Sequence, residues 1–107
     1  MPEDIRQRLE SLIHGHKVML FMKGTKQFPA CGFSNTVVQI LKAEGVAFET
    51  FNILNDPEIR QALKEYSNWP TYPQLYVAGK FVGGCDIVAE MHQAGELAGQ
   101  LTAAAAK

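Results

Sequence analysis

Apolar residues recur along this chain with changing periods, and those periods lay out its elements in order. Ile5, Leu9, Leu12 and Ile13 fall on one side of a helix over residues 2–14, which Gly15 ends. Residues 17–23 are nearly all apolar, the pattern of a strand covered on both faces and therefore central to a sheet. Val37, Val38 and Leu41 return to helical spacing between Asn35 and Ala43, and Gly45 stops that helix. Residues 47–52 then alternate, Phe48 and Thr50 against Glu49 and Phe51, which predicts a second strand and a parallel, right-handed βαβ unit. Asp56-Pro57-Glu58 opens the next helix with an N-cap, a proline in the first turn and an early acid, and it runs to Tyr66.

Residues 74–78 and 80–83 predict a short antiparallel hairpin around Ala78-Gly79. Asp86 is expected to cap a last helical region holding Ile87, Val88 and Met91, broken by Gly95 before an alanine-rich stretch over residues 97–106 that frays at its end. No linker or repeat interrupts this order, so residues 1–107 are read as a single domain with room for a core.

Charge and cysteine usage narrow the function classes. The net charge is −1 with no basic run, which leaves a nucleic-acid partner without electrostatic support. No apolar run approaches membrane-spanning length, and the N-terminus is acidic rather than a signal core, so the chain is expected to be soluble and free of membrane. Cys31 and Cys85 lie too far apart in sequence to form the framework of a secreted mini-protein. A reducing compartment follows, the cytoplasm, with an organelle matrix or stroma after presequence removal as the alternative.

Candidate chemistry centres on Cys31-Gly32-Phe33-Ser34, a single thiol between an apolar strand and a helical pattern. Free amides and the positive end of the helix converge there, and Lys23 adds charge if the loop from Gly24 to Ala30 folds back on the strand end. An ordinary cysteine is only about three per cent thiolate at neutral pH, whereas such surroundings depress its pKa to roughly 3.5 to 7.5. An unpaired cysteine is in general a small buried apolar residue. Here Pro29, Gly32 and Ser34 mark an exposed bend, which favours a reactive thiol.

Two further segments stand out. In Trp69-Pro70-Thr71-Tyr72-Pro73 the residues alone leave two options open, a cis Tyr72-Pro73 bond facing the Cys31 site or a trans turn with Trp69 in the core. Gly83-Gly84-Cys85-Asp86 either lets a ligand approach free helix amides or simply ends a strand. Arg60 and Lys64, four apart on one helix, read by themselves as a solvated face. His14 and His16 straddle a helix end without companion ligands and are read as surface or capping residues. His92 is placed on a face open to a partner with no chemistry assigned, while Met19, Phe21, Met22 and Phe81 are read as core or groove lining.

Taken together, Met22-Lys23-Gly24-Thr25, Pro29, Cys31-Gly32-Phe33-Ser34, Asp56-Pro57-Glu58-Ile59-Arg60, Trp69-Pro70-Thr71 with Pro73-Gln74, and Gly83-Gly84-Cys85-Asp86-Ile87 resemble the CGFS-type monothiol glutaredoxins of the thioredoxin-like superfamily. The motifs occur in order over nearly the whole chain. The resemblance implies an α/β fold, a four-stranded mixed sheet flanked by helices with an extra N-terminal helix. It also implies a glutathione groove beside Cys31 and Phe33. Lys23, Arg60 and Lys64 would pair with the glycine-end carboxylate of glutathione. The backbone of Tyr72, ahead of a cis Pro73, would hold the cysteinyl part, and Gly84, Cys85 and Asp86 the γ-glutamyl end. Tyr72 departs from the smaller aliphatic residue common in the family, and its ring is expected to crowd the groove.

Two functions compete on this basis. In the first, the Cys31 thiolate removes glutathione from protein mixed disulfides; Ser34 forbids an internal disulfide, so only a monothiol route remains. In the second, two chains and two glutathiones supply the four ligands of a bridging [2Fe-2S] cluster, in a homodimer that is monomeric when apo and serves iron-sulfur client or assembly proteins. The second is preferred, because the resemblance is to the subgroup with an extended loop between Lys23 and Cys31, which is associated with weak reductase activity. Cys85 is expected to act through its backbone rather than as a ligand or as the disulfide partner of Cys31.

Overall fold

The computed structural model describes residues 1–105, and their elements follow the predicted order. Helix α1 (Glu3–His14) precedes strand β1 (Val18–Met22), helix α2 (Gly32–Ala43) and strand β2 (Glu49–Asn52). A 3-10 turn (Ile53–Asn55) leads into α3 (Pro57–Ser67), then β3 (Gln74–Val77), β4 (Lys80–Gly83), α4 (Cys85–Gln93) and α5 (Glu96–Ala105). The strands lie in the order β2-β1-β3-β4, with β1 parallel to β2 and antiparallel to β3, and β3 antiparallel to β4. This is the expected four-stranded mixed sheet flanked by helices, including the N-terminal one.

All five β1 residues are buried because each face of the sheet carries helices. Val18, Leu20 and Met22 point with Leu75 and Val77 into a core shared with α2, α4 and α5. Met19 and Phe21 point the other way with Tyr76, against Ile5, Leu9 and Ile13 of α1 and Ile59 and Leu63 of α3. A period of two along each strand thus feeds two separate cores.

Several boundaries differ from the expectation. Helix α2 begins at Gly32 rather than near Asn35, so Cys31 itself is the N-cap residue. Strand β2 starts at Glu49, leaving Phe48 beneath the Lys26 ammonium, 4.4 Å from the ring centre. Asp86 does not cap the last helical region; Gly84 holds the N-cap position and Asp86 lies inside the first turn of α4. The break at Gly95 is present, and the helix beyond it continues through Ala105; the expected end at Ala106 lies outside the described residues. His92 keeps 36% of its side chain exposed and meets the Glu44 carboxylate at 3.1 Å, joining the ends of α4 and α2.

Asp56 does cap α3 as predicted. One carboxylate oxygen accepts the Ile59 N–H at 3.1 Å, and the other accepts from the Arg8 guanidinium of α1 at 2.7 Å. The Arg8 bond, then the Ile59 bond, hold the carboxyl below the usual carboxylate range. Replacing Asp56 with Ala is expected to lower stability by about 1 kcal/mol, the usual worth of an N-cap. A depressed folded pKa makes the contribution complete above the unfolded value of about 4 and removes it as pH falls through the lower folded value. Urea unfolding of both proteins across that range is therefore expected to show curves that differ at neutral pH and converge in acid.

Candidate functional site

Strand β1 delivers Lys23 just past its C-terminal end, and the chain then turns back on itself before α2. The turn is braced. Gly24 bridges to Pro29, Ala30 N–H donates to the Lys23 carbonyl at 2.9 Å, and Gly24 N–H donates to Asn52 Oδ1 at 3.0 Å. The loop therefore folds back on the strand end as the charge argument required, and it sets Cys31 down at the start of α2.

Cys31 has extended backbone (φ −150°, ψ 137°), no side chain caps α2, and its first turn contains no acid. Its sulfur thus meets unsatisfied helix amides. The thiol lies below the ordinary thiol range, chiefly through the Ser34 backbone N–H; burial opposes this in part, while the Phe33 N–H, the Lys23 charge and the Ser34 hydroxyl assist. Helix amides lead and the lysine helps, the reverse of the weight a charge-pair argument alone would assign.

Ser34 corrects the sequence reading. It is fully buried rather than part of an exposed bend, and its hydroxyl accepts the Lys23 N–H at 3.2 Å. Gly32 and Phe33 are the exposed members of the motif, Phe33 at 63%.

The second wall of the site comes from the loop before β3 and the start of α4. The Tyr72-Pro73 peptide bond is cis. Buried Gln74 supports the loop from below, donating from Nε2 to the Trp69 and Thr71 carbonyls at 3.2 and 3.3 Å and accepting from the Tyr76 hydroxyl at 3.2 Å. Tyr72 does not crowd the groove as expected: it is 6% exposed, its ring is packed into the α1–α3 core, and its hydroxyl donates to the Arg60 carbonyl at 2.6 Å. A Cβ on Gly84 would stand 3.3 Å from both the Pro73 carbonyl oxygen and Trp69 Nε1, a tight approach, so glycine lets the α4 amides come this close to the loop at no steric cost.

All ten sequence-predicted residues, Lys23, Cys31, Phe33, Arg60, Lys64, Tyr72, Pro73, Gly84, Cys85 and Asp86, line one cavity of about 520 Å³. Trp69, Pro70, Thr71 and Ile87 line it too and were not assigned to it. The Trp69-Pro70-Thr71 segment precedes the cis bond and Ile87 closes the Gly83-Gly84-Cys85-Asp86-Ile87 motif, so both belong to the stretches that carry the resemblance, although the helical spacing of Ile87 reads by itself as a core position. Three cations, two uncapped helix starts and one carboxylate face the space. That arrangement fits a small zwitterion with carboxylates at both ends and an ammonium at one, and glutathione has this charge pattern.

The two thiols are unlike. Both are free, but burial and then the Asp86 carboxylate push the Cys85 thiol up, while Cys31 is drawn down. Iodoacetamide at neutral pH is accordingly expected to modify Cys31 first, giving a single adduct by mass spectrometry. A second adduct appears only as the pH rises, and a rate profile for Cys31 with its midpoint at or above about 8.5 would contradict the assignment.

A mixed four-stranded sheet with one activated thiol at the start of α2, beside an ionic groove and a cis-proline loop, defines a monothiol protein of the thioredoxin-like fold. A family profile described as Glutaredoxin matches residues 18–82. An uncharacterized, ycf64-like monothiol glutaredoxin of Synechocystis is 57% identical over 106 residues, 99% of each chain. The chloroplastic monothiol glutaredoxin-S14 of Arabidopsis thaliana is 61% identical over 93 residues, 87% of this chain but 54% of that protein.

Solved structures agree. Reduced poplar apo GrxS14 has a TM-score of 0.85 at 54% identity, covering 96% of this chain and 94% of that one. The holo form of glutaredoxin C1 from Populus tremula x tremuloides has a TM-score of 0.89 at 29% identity, covering 98% and 93%. A buckwheat glutaredoxin–glutathione complex has 0.85 at 25% identity, covering 98% and 96%. The chain belongs to the glutaredoxin family, as a monothiol member of the CGFS type.

Proposed function

We propose that the protein binds glutathione and, as a dimer of two chains, holds a [2Fe-2S] cluster that it passes to iron-sulfur client or assembly proteins. One observation carries this reading. The lowered Cys31 thiol stands at the edge of a groove with the charge pattern of glutathione, and among the described residues no group of three or more His, Cys, Asp or Glu could hold a metal ion. A cluster with four ligands must then draw the rest from outside the chain. Two Cys31 thiolates and two glutathione thiolates complete the set.

Within the groove, Lys23, Arg60 and Lys64 take the glycine-end carboxylate, the Tyr72 backbone ahead of Pro73 holds the cysteinyl part, and Phe33 flanks the thiol. Gly84, Cys85 and Asp86 receive the γ-glutamyl end, the helix amides meeting its carboxylate and the Asp86 carboxylate its ammonium. That a buckwheat glutaredoxin of the same fold forms a glutathione complex supports a glutathione site in this chain. We take residues 1–107 as one glutaredoxin domain working in a reducing compartment, the cytoplasm or, as in the chloroplastic relative, an organelle.

Anaerobic reconstitution with iron, sulfide and glutathione tests the proposal. The expected product is a coloured species of twice the chain mass that bleaches and dissociates when glutathione is removed. A colourless monomer with brisk deglutathionylation activity would overturn it in favour of the oxidoreductase reading, which needs the same thiolate and groove but no second chain.

A further inference from the structure

We propose that Tyr72 is a positioning residue whose buried phenol struts the loop before β3 against α3, and so fixes Arg60 and Lys64 at the spacing a glutathione carboxylate needs. The inference rests on the glutathione reading of the groove and adds to it the part that sets its width.

Arg60 and Lys64 stand four residues apart, so the Arg60 carbonyl is the acceptor that closes the helical turn between them. That carbonyl has a second lone pair, and the Tyr72 hydroxyl occupies it at 2.6 Å. The Lys64 carbonyl receives the Trp69 N–H of the same loop at 3.3 Å. Donors from the loop thus land on the carbonyls of both groove cations. Tyr72 lines the cavity, and its side chain packs in the core between α1 and α3 with its hydroxyl on the Arg60 carbonyl, so one residue spans from the groove to its cationic wall. Burial keeps the phenol protonated far above neutral pH, and it remains a donor throughout the range in which the thiol works.

The strut is tested by the equilibrium in which the Cys31 thiolate attacks one sulfur of oxidised glutathione, forming a Cys31–glutathione disulfide and releasing one glutathione thiolate. Hydroxyethyl disulfide undergoes the same exchange without charged ends. Tyr72→Phe keeps the ring and removes only the hydroxyl, and thermal melting verifies that the variant folds. The equilibrium constant with oxidised glutathione is expected to fall about three- to tenfold, the effect of losing one hydrogen bond, and the loss is expected to exceed that with hydroxyethyl disulfide. In an Arg60→Ala/Lys64→Ala background the same substitution is expected to make little further difference, because the groups it positions are gone.

Equal losses with both disulfides would show that Tyr72 acts on the fold or the thiol and would overturn the strut. So would an unchanged constant in Tyr72→Phe beside a weakened Arg60→Ala/Lys64→Ala protein, with the glutathione reading intact. An Arg60→Ala/Lys64→Ala protein that binds as tightly as the parent would overturn the cationic wall and the strut with it.

Discussion

Reconstituted without oxygen, Cys31→Ser is expected to stay colourless and monomeric, whereas Cys85→Ser takes up a full cluster and dimerises. The asymmetry follows from where each thiol stands. Cys31 meets the uncapped amides of α2 and is stabilised as a thiolate, the form that ligates iron. Cys85 opens α4 one residue after Gly84, and burial beside Asp86 keeps its proton on. Its backbone can serve the groove whatever its side chain, so serine is tolerated there. Visible absorbance and size-exclusion chromatography decide the matter, and equal loss in the two variants would make Cys85 a ligand.

The second large effect is expected at Gly24, whose backbone lies in the left-handed region at φ 93°. A Cβ there would stand 2.4 Å from the Ala30 nitrogen, 2.7 Å from the Phe28 oxygen and 2.9 Å from the Pro29 carbonyl carbon. All three are backbone atoms of the braced loop and cannot rotate away. Gly45 provides the control, since it also has positive φ, 73°, yet nothing lies within 4 Å of its added Cβ. Gly45→Ala is expected to lose about 1 to 2 kcal/mol, the strain of a left-handed residue. Gly24→Ala loses more by urea unfolding, and it alone disturbs the alkylation rate of Cys31, because opening the loop separates Lys23 from the thiol. Similar losses in both variants, with unchanged alkylation, would mean the loop does not position Cys31.

Much of this architecture was legible beforehand, and particular residues show why. The unbroken apolar run of β1 announces a strand with helices on both sides, since only two buried faces accommodate it. The Asp56-Pro57 start of α3 and the glycine break before α5 are local signals, decided within a turn of chain. The thiol before a helix is readable from a local backbone requirement, whereas the proline pair, the Gly-Gly step and the Arg60 and Lys64 pair are site residues only by the family resemblance. Ser34 and Tyr72 were misjudged for the opposite reason. A serine in a bend looks exposed, and a tyrosine in a groove motif looks obstructive, until the packing shows one under the Lys23 amide and the other beneath α3.

By itself, then, the sequence determines the order of elements and favours Cys31 as the reactive thiol, because these depend on periodicity and on local backbone chemistry, while the set of groove residues, Arg60 and Lys64 among them, is what the family resemblance implies. The tertiary structure decides which amides lower the thiol, that Gly84 rather than Asp86 begins α4, and how Tyr72 and Gln74 hold the loop. The Tyr72 bond joins residues 12 apart, whereas the Gln74 bonds and the amides that meet Cys31 lie within one loop or one helical turn. Where Tyr72 and Gln74 point is nevertheless not written in any local pattern, since the Tyr72 hydroxyl finds the Arg60 carbonyl only once the loop before β3 packs against α3, and Gln74 is held by Tyr76 inside the packed sheet.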